Sequence, residues 1–272
     1  MSPLHVTRTP APPPARGTVL ALHGMMESGP TLRSAADTWA AAGWSVVAPD
    51  LRGHGRSPRW DPADRRHPGD RLAQDVVDLL DDLTGERAGH GPLVLFGHSA
   101  GGGVAAAAAV RRAGLVDGVV LEDPFWRLPV TRHQDPAVAR QAHRGLVDRQ
   151  AMTASELISW GRSRHPGWDP AELPEWAAAQ HDADPALVRN GDVIPTPPWP
   201  QLLADLAGAD VPVQVVTGSG PLAGMTVEHR RLLVARGAHL VVVPDANHFV
   251  RRDAPEAFAR ATTAFLERVA AR

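Results

Sequence analysis

The sequence contains no cysteine. That single absence excludes disulfide staples, thiolate nucleophiles and cysteine-held zinc, and it agrees with a reducing compartment. Tyrosine is missing as well, whereas tryptophan occurs eight times. Neither sign of charge prevails: 28 Lys+Arg stand against 30 Asp+Glu, for a net charge of -2. Such a balance leaves no electrostatic footprint for nucleic acid or an anionic membrane. No apolar run approaches the length of a membrane span. The N-terminal "MSPLHVTRTPAPPPARG" has no apolar segment long enough for a signal peptide. The expected location is the cytoplasm, and the expected partner is a small molecule, met by a monomer or homodimer.

What is present is an alternation of short apolar runs with helical stretches. The 272 residues, 43% of them hydrophobic, suffice to bury a large core. "GTVLALHG" (17–24), "WSVVAPD" (44–50), "PLVLFG" (92–97), "VDGVVLEDP" (116–124), "VPVQVVTG" (211–218) and "AHLVVVPDANH" (238–248) read as strands. A further edge strand is expected at Leu4–Thr7, ahead of the stiff "PAPPP". Between them, helices are predicted over 30–43, 71–86, 102–114 and 226–236, with a last one at the C-terminus. Leu72, Val76, Leu79, Leu80 and Leu83 show the helical period in the second of these. Strands apolar on both faces and separated by helices predict an α/β fold with a mostly parallel central sheet covered on both sides.

The alternation stops once. Residues 125–205 carry helical pieces, many prolines and five of the tryptophans, but no convincing core strand. The predicted organisation is therefore a core of 1–124 and 206–272 with a helical cap, or lid, at 125–205. A concentration of tryptophan in one segment suggests an apolar pocket wall, and Trp126 and Trp160 are the expected lining residues there.

"LVLFGHSAGG" (93–102) holds the strongest chemical signal. A strand runs into Gly97-His98-Ser99-Ala100-Gly101, and a helix rich in small residues follows. In that context a Gly-x-Ser-x-Gly segment forms a sharp turn that exposes the serine, because side chains at the two glycines would collide with neighbouring backbone. Ala105–Ala109 allows the helix to lie close to the sheet. A serine hydroxyl is a weak nucleophile alone and needs a base and an acid from elsewhere. "LALHGMMES" (20–28) ends another strand in His23-Gly24, where the amide of Met25 can join that of Ala100 in holding a developing oxyanion. "PDLRGHGRS" (49–57) is a glycine-rich loop expected near the same corner.

These segments, together with Asn247-His248-Phe249, give the chain a resemblance to the α/β-hydrolase superfamily over about residues 17–268. The resemblance implies the fold just described, no cofactor and no metal. It also implies a base in the loop after the last strand, and this points to His248. His54 is read as a packing or hydrogen-bonding residue. His98, beside the nucleophile, is read as structural and turned from the substrate side, yet it is also counted with Met25, Trp126 and Trp160 among the expected substrate-binding residues.

The acid departs from the pattern of many members. They carry it after the strand that here reads "VPVQVVTG", but this chain continues "SGPLAG", and no carboxylate appears until Glu228. A subset of the superfamily carries its acid one strand earlier, and "VVLEDP" ends there with Glu122 and Asp123. Neighbouring strand residues face opposite sides, so one of the two can reach the imidazole. Asp123 is the choice, Glu122 the second, and Asp245 a weaker third. A salt-bridged strand-end pair involving Arg127 is the competing structural account.

The expected function is that of a serine hydrolase, cleaving a carboxylic ester or lactone of a hydrophobic small molecule through an acyl-enzyme. Alternatives are a catalytically weak ligand-binding protein of the same fold, or a cofactor-independent thioesterase or perhydrolase.

Overall fold

The computed structural model describes residues 2–86, 91–128, 136–190 and 193–272. Seven strands form one sheet: β1 (Val6–Thr9), β2 (Gly17–Leu22), β3 (Trp44–Pro49), β4 (Leu93–His98), β5 (Gly118–Glu122), β6 (Val213–Gly218) and β7 (His239–Val243). Their spatial order is β1-β3-β2-β4-β5-β6-β7. β1 pairs antiparallel with β3, and every other pairing is parallel.

The two-residue period of a strand explains why these runs are apolar throughout. Leu20, Leu22, Leu93, Leu95, Val119, Leu121 and Val215 enter one buried cluster, and Val19, Ala21, Val94, Phe96, Val120 and Val216 enter another. The first cluster includes α2 (Pro68–Glu86), α3 (Ala100–Arg111) and, from later in the chain, Leu233 of the helix Val227–Ala235. The second includes α1 (Arg33–Ala41) and residues of the last helix, Pro255–Ala270. There Trp39, Phe96 and Phe258 pack ring against ring, with centroids 5.0–6.1 Å apart. The sheet is thus sandwiched, as the sequence predicts. The edge strand lies two residues further along than expected, because its ladder runs from Val6 opposite Pro49 to Thr9 opposite Val46.

Between β5 and β6 the described residues form helices and no strand: α4 (Pro136–Gln150), α5 (Ala154–Arg164), α6 (Leu173–Asp182), α7 (Pro185–Asn190) and α8 (Trp199–Gly208). Leu157, Trp168, Leu173, Trp176 and Ala177 build a small core of their own, joined by Phe249. Trp199, Leu202, Leu203 and Leu206 of α8 enter the main cluster with α3, as do Leu187 of α7 and Val193. After β6 come α9 (Val227–Ala235), β7, α10 (Val250–Asp253) and α11 (Pro255–Ala270). Among the described residues, no helix is long and apolar enough to cross a membrane.

Candidate active site

Ser99 sits between β4 and α3 with φ 53° and ψ -120°, a conformation costing about 1–3 kcal/mol for a residue with a side chain. The surrounding backbone enforces it. A Cβ on Gly97 would lie 2.3 Å from the carbonyl oxygen of Gly101, and one on Gly101 would lie 2.4 Å from that of His23. Both glycines are therefore required by close approach, as the sequence suggests. Ser99 is nearly buried, and the His248 side chain is about one-third open to solvent.

His248 lies in the loop between β7 and α10. The Ser99 hydroxyl is 2.9 Å from His248 Nε2 and can donate to it. On the other side of the ring, Nδ1–H donates to Asp123 Oδ2 over 2.6 Å. The carboxylate fixes the tautomer, since only Nδ1 can then carry the proton in a neutral ring.

Asp123 leaves β5 with φ 37°, and its carboxylate is fully enclosed. Thr217 Oγ1 donates to Oδ1 at 2.6 Å, and the amides of Gly224 and Met225 donate at 2.7 and 3.2 Å. Burial pushes its pKa up. Hydrogen bonding and charge from His248, then Thr217 and Gly224, outweigh that and hold it below the ordinary aspartate value. The loop after β6, which lacks a carboxylate of its own, thus supplies donors to the one after β5.

Glu122 faces the opposite side of the sheet. There it accepts from the Arg251 amide and guanidinium, each at 2.7 Å, and it does not approach His248. Asp245 is exposed, with its amide bonded to Ser219 Oγ. Among the described residues, one strand-end acid meets His248 and the other Arg251.

The loop carrying Met25 abuts Ser99, since a Cβ on Gly24 would fall 3.1 Å from Ser99 Cβ. Ala100 opens α3, so its amide is one of the unpaired donors of a helix N-terminus. Two buried histidines fix this loop. His23 Nδ1–H donates to the Gly24 carbonyl at 2.7 Å, and its Nε2 accepts from the Leu51 amide at 2.9 Å. His54 Nδ1–H donates to the Arg52 carbonyl, and its Nε2 accepts from the Met26 amide, both at 3.1 Å. Burial lowers the pKa of both rings, that of His54 to about 3, which keeps them neutral and able to accept. The Gln180 side chain of α6 donates to the Met26 carbonyl at 2.7 Å, tying the insertion to the same loop.

A cleft of about 350 Å³ opens beside His248, lined among others by His165, Trp168, Leu222 and Phe249. His165 stacks on Trp168 with centroids 3.8 Å apart. Trp126 and Trp160, the tryptophans singled out from the sequence, do not line it. Trp126 is buried in the main core, stacked on Trp199 at 5.0 Å, and Trp160 stacks on Trp176 at 5.8 Å within the insertion. Burial of apolar surface took Trp126 inward and left Trp160 half-buried, and composition alone carries no sign of which ring meets the cleft. Met25 packs against the small buried cluster of Leu146 and Ala183. His98 points away from the cleft, with Nδ1 2.6 Å from Glu27 and Nε2 3.1 Å from the His248 carbonyl oxygen. Sequence reasoning missed Glu27, Thr217, Gly224 and Arg251. Glu27 stands in the quoted "LHGMMES", where an acid just past a predicted oxyanion loop was the available signal.

Comparison with known proteins places this geometry in a wider set. Residues 13–166 match the family model described as serine aminopeptidase, S33. Among curated proteins, the lipase LipV of Mycobacterium tuberculosis is 34% identical over 177 residues, covering 65% of this chain and 62% of the relative. An epoxide hydrolase of Caballeronia sordidicola is 29% identical over 214 residues, covering 66% and 60%. The match thus spans about three-fifths of the length of these relatives. Among solved structures, an N-formylmaleamic acid deformylase of Pseudomonas putida superposes with a TM-score of 0.73 at 22% identity, covering 95% of both chains. At that identity the likeness is one of fold.

Proposed function

The chain belongs to the serine aminopeptidase family of the α/β-hydrolase superfamily, and from that premise we propose that it hydrolyses a carboxylic ester or lactone of a hydrophobic small molecule, with Ser99 as nucleophile, His248 as base and Asp123 as the triad acid. One observation carries the reading: a hydroxyl, an imidazole and a carboxylate from three separate loops are linked in series at 2.9 and 2.6 Å.

In this mechanism His248 Nε2 takes the Ser99 proton as Oγ adds to the substrate carbonyl. The oxygen that becomes negative is held by the amides of Met25 and Ala100. Neither amide donates to a protein acceptor among the described residues, so both are free to stabilise charge as it develops. His248 then returns the proton to the leaving alkoxide and activates water for deacylation, while Asp123 stabilises the imidazolium in each half-reaction. The apolar part of the substrate occupies the cleft between Trp168, Leu222 and Phe249. The helices α4–α8 between β5 and β6 act as its lid. Opening an epoxide through an ester intermediate calls for a carboxylate nucleophile, and position 99 supplies a hydroxyl instead.

Replacing Ser99 tests the reading. S99A is expected to lower kcat/KM for p-nitrophenyl esters by at least about a thousandfold, with the fold retained by circular dichroism. Unchanged slow turnover would favour the rival expectation of a ligand-binding protein without efficient catalysis.

A further inference from the structure

Behind Ser99, on the face of the sheet covered by α1 and α11, lies a buried group of charges that the mechanism does not use. Each member neighbours a site residue in the sequence. Glu27 stands two residues past Met25, His98 immediately before Ser99, Glu122 immediately before Asp123, and Arg251 three residues past His248. His98 and Glu122 are register partners on β4 and β5. All four are at most 4% exposed.

We propose that Glu27, His98, Glu122 and Arg251 form a positioning network for the four site loops, with His98 protonated on both ring nitrogens. Only its kinetic readout rests on the hydrolase reading above. The hydrogen-bond inventory leads to this state. His98 Nδ1 faces the Glu27 carboxylate at 2.6 Å, and Nε2 faces the His248 carbonyl at 3.1 Å. Both partners accept, so both nitrogens must donate. The Arg251 guanidinium bonds Glu27 and Glu122, and Arg252 bonds the partly exposed Glu172 and lies 3.3 Å from Glu27.

The groups facing His98 act in both directions. Burial, the largest influence, and the Arg251 charge lower the His98 pKa below the ordinary histidine value although Glu27 and Glu122 raise it, so the second proton rests on the two acceptors that its ring nitrogens face. The rings of His248 and Phe249 complete its surroundings at 4.8 Å each. Glu27 itself is pushed up by burial, but Arg251, His98 and Arg252 hold it well below the usual carboxylate range. The mechanical consequence is specific. Glu27 Oε2 accepts from the Gly24 amide at 2.9 Å, which sets the start of the Met25 loop, and His98 sets the backbone of His248. One ion pair therefore aligns the oxyanion donors and the base without touching substrate.

Histidine-selective nitrogen-15 NMR of the full chain tests the proton count, with the His98 signals identified by their loss in H98Q. Two protonated ring nitrogens on His98 at neutral pH are expected, in the wild type and in S99A alike. A single protonated nitrogen would overturn the proposal. For positioning, E27Q removes the charge with little change of shape. It is expected to lower kcat for a p-nitrophenyl ester about tenfold, with KM within about twofold. An unchanged kcat in folded E27Q would overturn the positioning role. Should E27Q not fold, the wild-type spectrum still decides. If S99A keeps full esterase activity, the hydrolase reading fails while the spectrum continues to judge the network.

Discussion

Asp123 bears the heaviest chemical demand of any single residue in the proposed reaction. Its carboxylate accepts from His248, Thr217, Gly224 and Met225, so an amide in its place would present a donor where four donors already converge. D123N is expected to reduce kcat by about a thousandfold or more, because the ring of His248 would be held in the wrong tautomer. Steady-state kinetics on a p-nitrophenyl ester measures this, and E122Q serves as the contrast. Loss in E122Q with none in D123N would reassign the acid. At the cleft, Leu222 is largely exposed at 71%. L222A is expected to raise KM for a long-chain ester roughly fivefold while leaving a short acetate ester unchanged, the loss of about 1 kcal/mol of apolar contact. A KM series over acyl length checks it.

At the scale of elements, the turn from β4 into α3 is the piece whose sequence and geometry agree most closely. Gly97 and Gly101 approach backbone oxygens so closely that no larger residue fits, and Ala105–Ala109 lie almost wholly buried along α3. G101A is expected to destabilise the protein by about 3 kcal/mol or to prevent folding, since backbone on both sides would have to shift. Thermal unfolding followed by circular dichroism reports it. The helical character of the stretch between β5 and β6 was readable from prolines and missing strands. Which of its side chains join the main core was not: Trp199, Leu202 and Leu206 look the same in sequence whether they cover a lid or a sheet, and only packing drew them, with Leu187, into the main cluster.

Across the whole molecule, buried neutral histidines link stability to pH. His54 has a folded value of about 3 against the ordinary 6.5, and His23 is lowered in the same direction. The unfolded chain therefore binds more protons below the ordinary value, and stability falls as pH drops from 6.5 toward 3. Asp123, lowered in the fold, adds to the loss in acid as its own folded value is approached. The thermal midpoint is expected to decline steadily on acidification from neutrality, and H54Q to flatten that slope. A midpoint independent of pH over this range would contradict the neutral assignment.

The sequence by itself determined the layered sheet and the strained serine turn, because each depends on local rules, period and close-packed glycines, while the resemblance to the superfamily pointed to His248 and to Asp123 as the partners to examine. Tertiary structure alone decided which of two adjacent acids faces the imidazole, which tryptophans stay at the cleft, and that Glu27, His98 and Arg251 meet behind it. Those outcomes depend on twist, crossover and burial across residues distant in the chain, for which no local spacing exists to read.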